Sequence, residues 1–298
     1  MNEQTEKDMI DAAIKDIANG DYVIAPPNDT AHGLLKKLDS SDVDTFEYTV
    51  SDVQDAIRDG SLTKKQRQLL IPGIITQNRV LENITHPEEK AAYFRVGFAL
   101  IDYALLQADR EKPFLTLDQR EALFKLAESY AEQEDNTTLL EASITLTSSA
   151  VVPAAQAIDL LREAVIHPEY SLKRLNELNK IVLAYFNNFS DAIPDICTDA
   201  VLHLFYELMT MRHMPQGRLH IKLRQITTKL ADAARGGEDA AAIYRNGAWQ
   251  RVLTQLAVLL QNAPHYAKLR DYVVQVVDDQ LRRKLGIDWG NEFFDDGQ

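Results

Sequence analysis

The sequence predicts an all-α protein of about a dozen antiparallel helices, and three observations predict it. Apolar residues recur at three- and four-residue steps through most of the 298 residues, which is the period of an amphipathic helix. The punctuation between those runs is only a few residues long, so consecutive helices must pack as antiparallel neighbours. A hydrophobic content of 45% with 8% aromatics is enough for a packed core and excludes a chain that is disordered as a whole.

The first run, about 6–18, places Met9, Ile10, Ala13, Ile14 and Ile17 on one face and closes at Asn19-Gly20. Residues 20–50 are the exception to the helical reading. Tyr22 to Ala25 favours strand, Pro26-Pro27 breaks it, and Phe46 to Val50 offers a second β-like run, so a small hairpin or irregular segment is expected there. Ser51 or Asp52 then caps a short helix through Arg58, which Asp59-Gly60 ends.

From Thr63 onward the pattern is a series of helices. Pro72-Gly73 is expected to interrupt the first after Ile71. Pro87 opens a long one with Phe94, Phe98, Ile101 and Leu105 on a single face. Thr116 caps the next, which runs through Leu123, Ala127 and Tyr130. Further segments are expected at about 138–149, 153–166, 169–187, 191–213, 218–235, 238–262 and 264–285.

An internal similarity points to stacked hairpins. Glu82, His86, Pro87 and Glu88 recur as Glu163, His167, Pro168 and Glu169, at a constant offset of 81, and apolar positions stay in register afterwards. Four helices in each interval would give hairpins of roughly 40 residues, the length of HEAT or armadillo units. Ala157, Leu161, Ala164 and Pro168 resemble the second helix of a tetratricopeptide (TPR) unit, and Leu123, Leu126, Ala127 and Tyr130 the first helix of another. The expected architecture is therefore an irregular HEAT/armadillo-like or TPR-like array. A helix junction with Pro in its first turn and Glu beside it also recurs for reasons of helix physics alone.

Charge divides the chain further. Residues 1–60 carry 14 acids and 5 bases, residues 286–298 carry four acids and no base, and 61–285 is neutral, within a net charge of -13. The expected organisation is an acidic section (1–60), a helical-hairpin body (61–285) and an acidic aromatic tail (286–298). Acidic ends disfavour nonspecific binding of nucleic acid or anionic membrane. No basic stretch followed by an apolar run opens the sequence, and no window approaches the roughly 18 apolar residues of a membrane span. One cysteine, Cys197, permits no internal disulfide and suits a reducing, cytoplasmic setting.

Few residues suggest chemistry. Asp191, Asp195, Asp199, His203 and Glu207 recur every four residues, so they share a helix face on which Asp195, Asp199 and His203 are candidate ligands for a divalent metal. That stripe would serve a magnesium-dependent enzyme acting on a phosphorylated substrate. The plainer account is a solvated acidic helix start, with Ser190 as cap. Glu82 with His86, and Glu163 with His167, stand four apart, one residue longer than the Glu-x-x-His of a di-iron bundle. Cys197 reads as a small core residue. No serine-hydrolase elbow, zinc-protease motif or phosphate loop occurs, and no cofactor is implied.

The remaining candidates are surfaces for binding. Between Arg212 and Arg235 six Arg/Lys face one acid, and Arg218, Lys222 and Lys229 are expected to form a basic ridge on a different face from the core residues Leu219, Leu223, Ile226 and Leu230, a ridge for a phosphate group, a nucleic acid, an acidic peptide or the chain's own acidic section or tail. Trp289, Phe293 and Phe294 interleave with acids in the tail, where they could dock in a partner groove or on their own domain. The functional expectation is a noncatalytic interaction or scaffold protein whose partner is another protein or peptide.

Overall fold

A computed structural model describes residues 28–85, 89–141 and 151–285. The expected helix at 6–18, the β-favouring Tyr22 to Ala25, and His86 and Pro87 lie outside the described residues, as does the tail with Trp289, Phe293 and Phe294. Among the described residues there are eleven α-helices, one 3-10 turn and no strand. None of these helices is long and apolar enough to cross a membrane. Contacts divide the chain into two compact units, 1–77 and 78–298.

In the first unit α1 (Asn28–Leu38) packs against both α2 (Val43–Arg58) and α3 (Lys64–Thr76). The expected second β run, Phe46 to Val50, is helical. Asp42 starts α2 by accepting the Thr45 amide at 3.0 Å, and Phe46, Val50, Val53 and Ile57 then fall on one buried stripe. β-branched content suggested strand, but the four-residue period and the cap decide for helix. The helix therefore begins well before Ser51, and it ends as expected at Asp59, with Gly60 in the left-handed region.

Pro72-Gly73 does not interrupt α3 either. Thr63 and Gln66 form a reciprocal capping box, and the helix continues to Thr76. Pro72 lies on the exposed side, as does Gln68, whose carbonyl loses its helical partner, while Leu70, Ile71 and Ile74 stay buried. Gly73 is needed for packing: a Cβ there would come within 2.6 Å of a methyl carbon of Leu35 on α1.

The second unit holds α4 (Glu89–Glu111), α5 (Leu117–Gln133), α6 (Pro153–Ile166), α7 (Leu172–Asn188), α8 (Asp195–Thr210), α9 (Gln216–Ala234), α10 (Ala240–Leu260) and α11 (Ala267–Leu285). The starts match the local chemistry: Thr116 and Ser171 cap with their hydroxyls, Pro153 opens α6, and Asp239 caps α10. The expected helix at 138–149 is absent over its described part, where Leu140 pairs with Val151 in an isolated antiparallel bridge.

Packing in this unit follows a simple rule. α4, α6, α8 and α10 each rest on the next in that series, and α5, α7, α9 and α11 do the same, so the helices form two files. The files are joined mainly by α5 against α6, α9 against α10 and α10 against α11, with smaller contacts of α4 with α5 and α7 with α10. α6 is buried along nearly its whole length, its polar Gln156 and Glu163 included. Farther along, Trp249 of α10 meets the edges of Phe186 (α7) and Phe205 (α8), each at 5.8 Å, and donates its indole N–H to Thr227 of α9 at 2.9 Å.

The 81-residue similarity does not describe this packing. It maps α4 onto α7 and α5 onto α8, which exchanges the two files, and three described helices rather than four separate the two junctions. A packing repeat must return to its own file. The starts of α6, α8 and α10, all in one file, are 42 and 45 residues apart.

Candidate functional site

The acidic stripe is split by the packing of α8. Asp191 lies in the loop before the helix, where it accepts the Ser190 hydroxyl, and Pro194 rather than Ser190 is the capping residue. Asp195 pairs with Arg251 of α10 at 3.0 Å, and Asp199 accepts from the Gln255 amide at 2.9 Å. His203 is exposed, and Glu207 turns to Arg162 of α6 at 3.7 Å. Among the described residues no three His, Cys, Asp or Glu side chains gather as metal ligands. The cavity of about 550 Å³ that Asp195 and Asp199 help line, between α8, α10 and α11, has Gly247, Val277 and Leu281 on its walls.

Glu163 and His167 face different partners. Glu163 is buried against Arg110 of α4 at 2.8 Å. His167 turns its Nε2 to Asp109 at 3.1 Å and accepts the Glu169 amide on Nδ1, which assigns the Nε2–H tautomer by elimination. Asp109 also accepts the amides of Phe114 and Leu115 at 2.6 and 2.7 Å and the Arg120 guanidinium. Burial pushes this carboxyl up, but those donors outweigh it and hold the group well below the usual carboxylate range. With every donor taken by the fold, the constellation fastens the α4–α5 loop to the end of α6.

Two more ionisable groups lie inside α4. Arg95 and Glu134 pair at 2.6 Å with both side chains fully buried, and Arg95 also donates to the Glu82 carbonyl at 3.1 Å. Asp102 is fully buried, and the Asn78 amide nitrogen serves both of its oxygens, at 3.0 and 2.8 Å. Burial raises this carboxyl from 3.8 to about 7, with the Asn78 bond opposing. A pattern was available: Ala91, Arg95, Phe98, Asp102, Leu105 and Asp109 are spaced four, three, four, three, four along one buried stripe. Charges on a core stripe are candidates for internal pairs. Cys197 is likewise interior, its thiol pushed up to about 11 by burial, against the Tyr185 hydrogen bond.

The surface of the α5–α7–α9 file is charged in an ordered way. Between α5 and α7 a cavity of about 420 Å³ is lined by Glu121, Glu128, Glu132, Lys173, Glu177 and Lys180 among others. At its centre Arg174 joins Glu121 and Glu128, and the Tyr170 hydroxyl donates to Glu128 at 2.7 Å. On α9, Arg218 and Lys229 are exposed, but Lys222 does not continue the expected ridge. It is buried, 6% exposed, and donates to the Asn176 carbonyl of α7 at 3.0 Å. Lys222 flanks the buried Leu219–Leu223 face where α9 meets α7, so the ammonium is spent on the helix contact, and burial lowers it to about 8.

Side chains also reach back to satisfy carbonyls of earlier connections. Arg212 donates to His167 and Tyr170, Arg245 to Phe189, Arg251 to Ile193, and Tyr266 to Met209 and Met214. These bonds consume the polar groups that might otherwise act on a ligand. No protein-family model, curated protein or solved structure matches the chain, so its function has to be argued from its own geometry.

Proposed function

We propose that the chain is a noncatalytic interaction protein, a scaffold or adaptor in which residues 78–285 form an irregular HEAT/armadillo-like or TPR-like array that presents a helix face to another protein. The observation that carries this reading is the two-file packing, in which each helix rests on the next but one and the starts of α6, α8 and α10 follow at 42 and 45 residues. Such an array buries its core between the files and leaves two long faces free.

Both faces expose large apolar side chains. Leu117, Leu172, Ile221 and Val274 stand on the α5–α7–α9–α11 file, and Ile196, Tyr206, Ile243 and Tyr244 on the other. The ionisable groups inside are committed to one another or to polar groups of the fold, as Asp102 is to Asn78 and Lys222 to the Asn176 carbonyl, which favours binding over catalysis. The single buried cysteine suits a cytoplasmic setting.

The experiment is affinity purification from the native cell of a chain carrying a photo-crosslinking residue at Leu172 or, separately, at Tyr206. One discrete partner crosslinked from one face is the expected result. Turnover of a phosphorylated or diphosphate compound with magnesium, lost in Asp195→Ala and Asp199→Ala, would overturn it.

A further inference from the structure

We propose that the seam between α7 and α9 receives an acidic peptide segment of a partner protein, an inference that rests on the interaction reading above. Among the described arginines elsewhere in this unit, Arg95, Arg110, Arg120, Arg174 and Arg251 pair with carboxylates, and Arg212 and Arg245 bind carbonyls. Arg218 and Lys229 of α9 are exposed and make no ion pair among the described residues, and both lie on the face of α9 that carries Lys222. Two cations that no described residue neutralises therefore share one face of α9.

The seam beside them holds a third cation. On α7, Lys173 and Lys180 are exposed toward the α5–α7 cavity, and Glu177, which pairs with Lys180, is the acid within reach of Lys173 and Lys222. Lys222 lies in the seam itself, close enough to Arg218 for the two charges to oppose each other. A carboxylate seated here would gain from both cations and would favour the charged form of Lys222.

Size and composition favour a short peptide. Arg218 and Lys229 are eleven residues apart, roughly 16 Å along the helix axis, a span that about five extended residues cover. Ile221 lies between them at 58% exposure and offers contact to an apolar side chain. A longer polyanion such as nucleic acid would run from the seam onto Glu121, Glu128 and Glu132, one helix away, in a chain of net charge -13.

The test is fluorescence anisotropy of the full chain with a fluorescein-labelled peptide of three Glu-Glu-Leu repeats at low salt. Saturable binding is expected. It should weaken at least about tenfold in Arg218→Glu/Lys229→Glu and several-fold in Ile221→Ser, and should be unchanged in Lys125→Glu on α5, with far-UV circular dichroism showing that each variant is folded. Four results would overturn the inference: no saturation, equal binding by the double variant, equal or tighter binding of an oligothymidylate of the same length, or binding that appears only after removal of 286–298. Repeating the native-cell purification with the double variant separates the two proposals. A partner still captured in full refutes the seam and leaves the broader interaction reading in place, whereas no partner for either chain refutes both.

Discussion

At the residue scale the most consequential group is Asp102, a carboxyl with no exposure and a single amide donor for both oxygens. Its carboxyl keeps a proton in the folded chain up to about pH 7 but loses it near 3.8 once unfolded. As pH rises between those values the unfolded state ionises first, so this group removes stability progressively and its cost is complete above pH 7. The gap corresponds to roughly 4 kcal/mol at most. Asp102→Asn keeps the shape and removes the charge. Urea titrations should show the variant more stable than the parent at pH 8, by up to that amount, and nearly equal at pH 4. Equal stabilities at both pH values would mean that the buried carboxylate is compensated. Asp109 behaves oppositely: its lowered value means that the stability it contributes is present above the ordinary carboxylate range and is lost only under strongly acid conditions.

At the scale of elements, the connections are held by side chains more than by turns of their own. Asp109→Ala would strand the amides of Phe114 and Leu115, the Arg120 guanidinium and the His167 ring together. The expected loss is roughly 3 to 5 kcal/mol, read as a lower denaturation midpoint with an unchanged m-value. Gly73→Val tests a different junction, since a side chain there meets Leu35; a loss of roughly 1 to 3 kcal/mol is expected from overpacking. Element existence was legible in the sequence wherever a cap and a periodic stripe agreed, as at Thr116 with Leu123, Ala127 and Tyr130. It was misread where one local signal opposed the period. Phe46 to Val50 carries strand-favouring residues inside a helical stripe, and Pro72 looks like a breaker until its exposed position is known. The sites were less legible than the elements. Whether Lys222 faces water or α7 depends on which helix lies beside it, and Asp195 and Asp199 were separated from His203 by neighbours 40 to 60 residues away in the chain. The charged members of the α4 stripe were visible in the spacing, although their partners Glu134, Asn78 and His167 were not.

At the scale of the whole molecule, the two-file packing of the second unit predicts that damage stays local. α10 packs on α7, α8, α9 and α11, whereas the contacts of α4 and α5 run to each other, α6 and α7. Trp249 ties the later group together, because it touches α7 and α8 through Phe186 and Phe205 and bonds α9 through Thr227. Trp249→Ala should cost roughly 3 to 5 kcal/mol where that cluster is formed. In a chain whose helices answer mainly to near neighbours, the loss should not be shared evenly. Native-state hydrogen exchange followed by mass spectrometry is therefore expected to show a sharp fall in protection across 195–260, with 89–133 close to the parent. A uniform fall across both segments would mean that the unit unfolds as one cooperative body. The helical-array reading would then lose its main physical consequence, even though the order of helices in the two files would be unchanged.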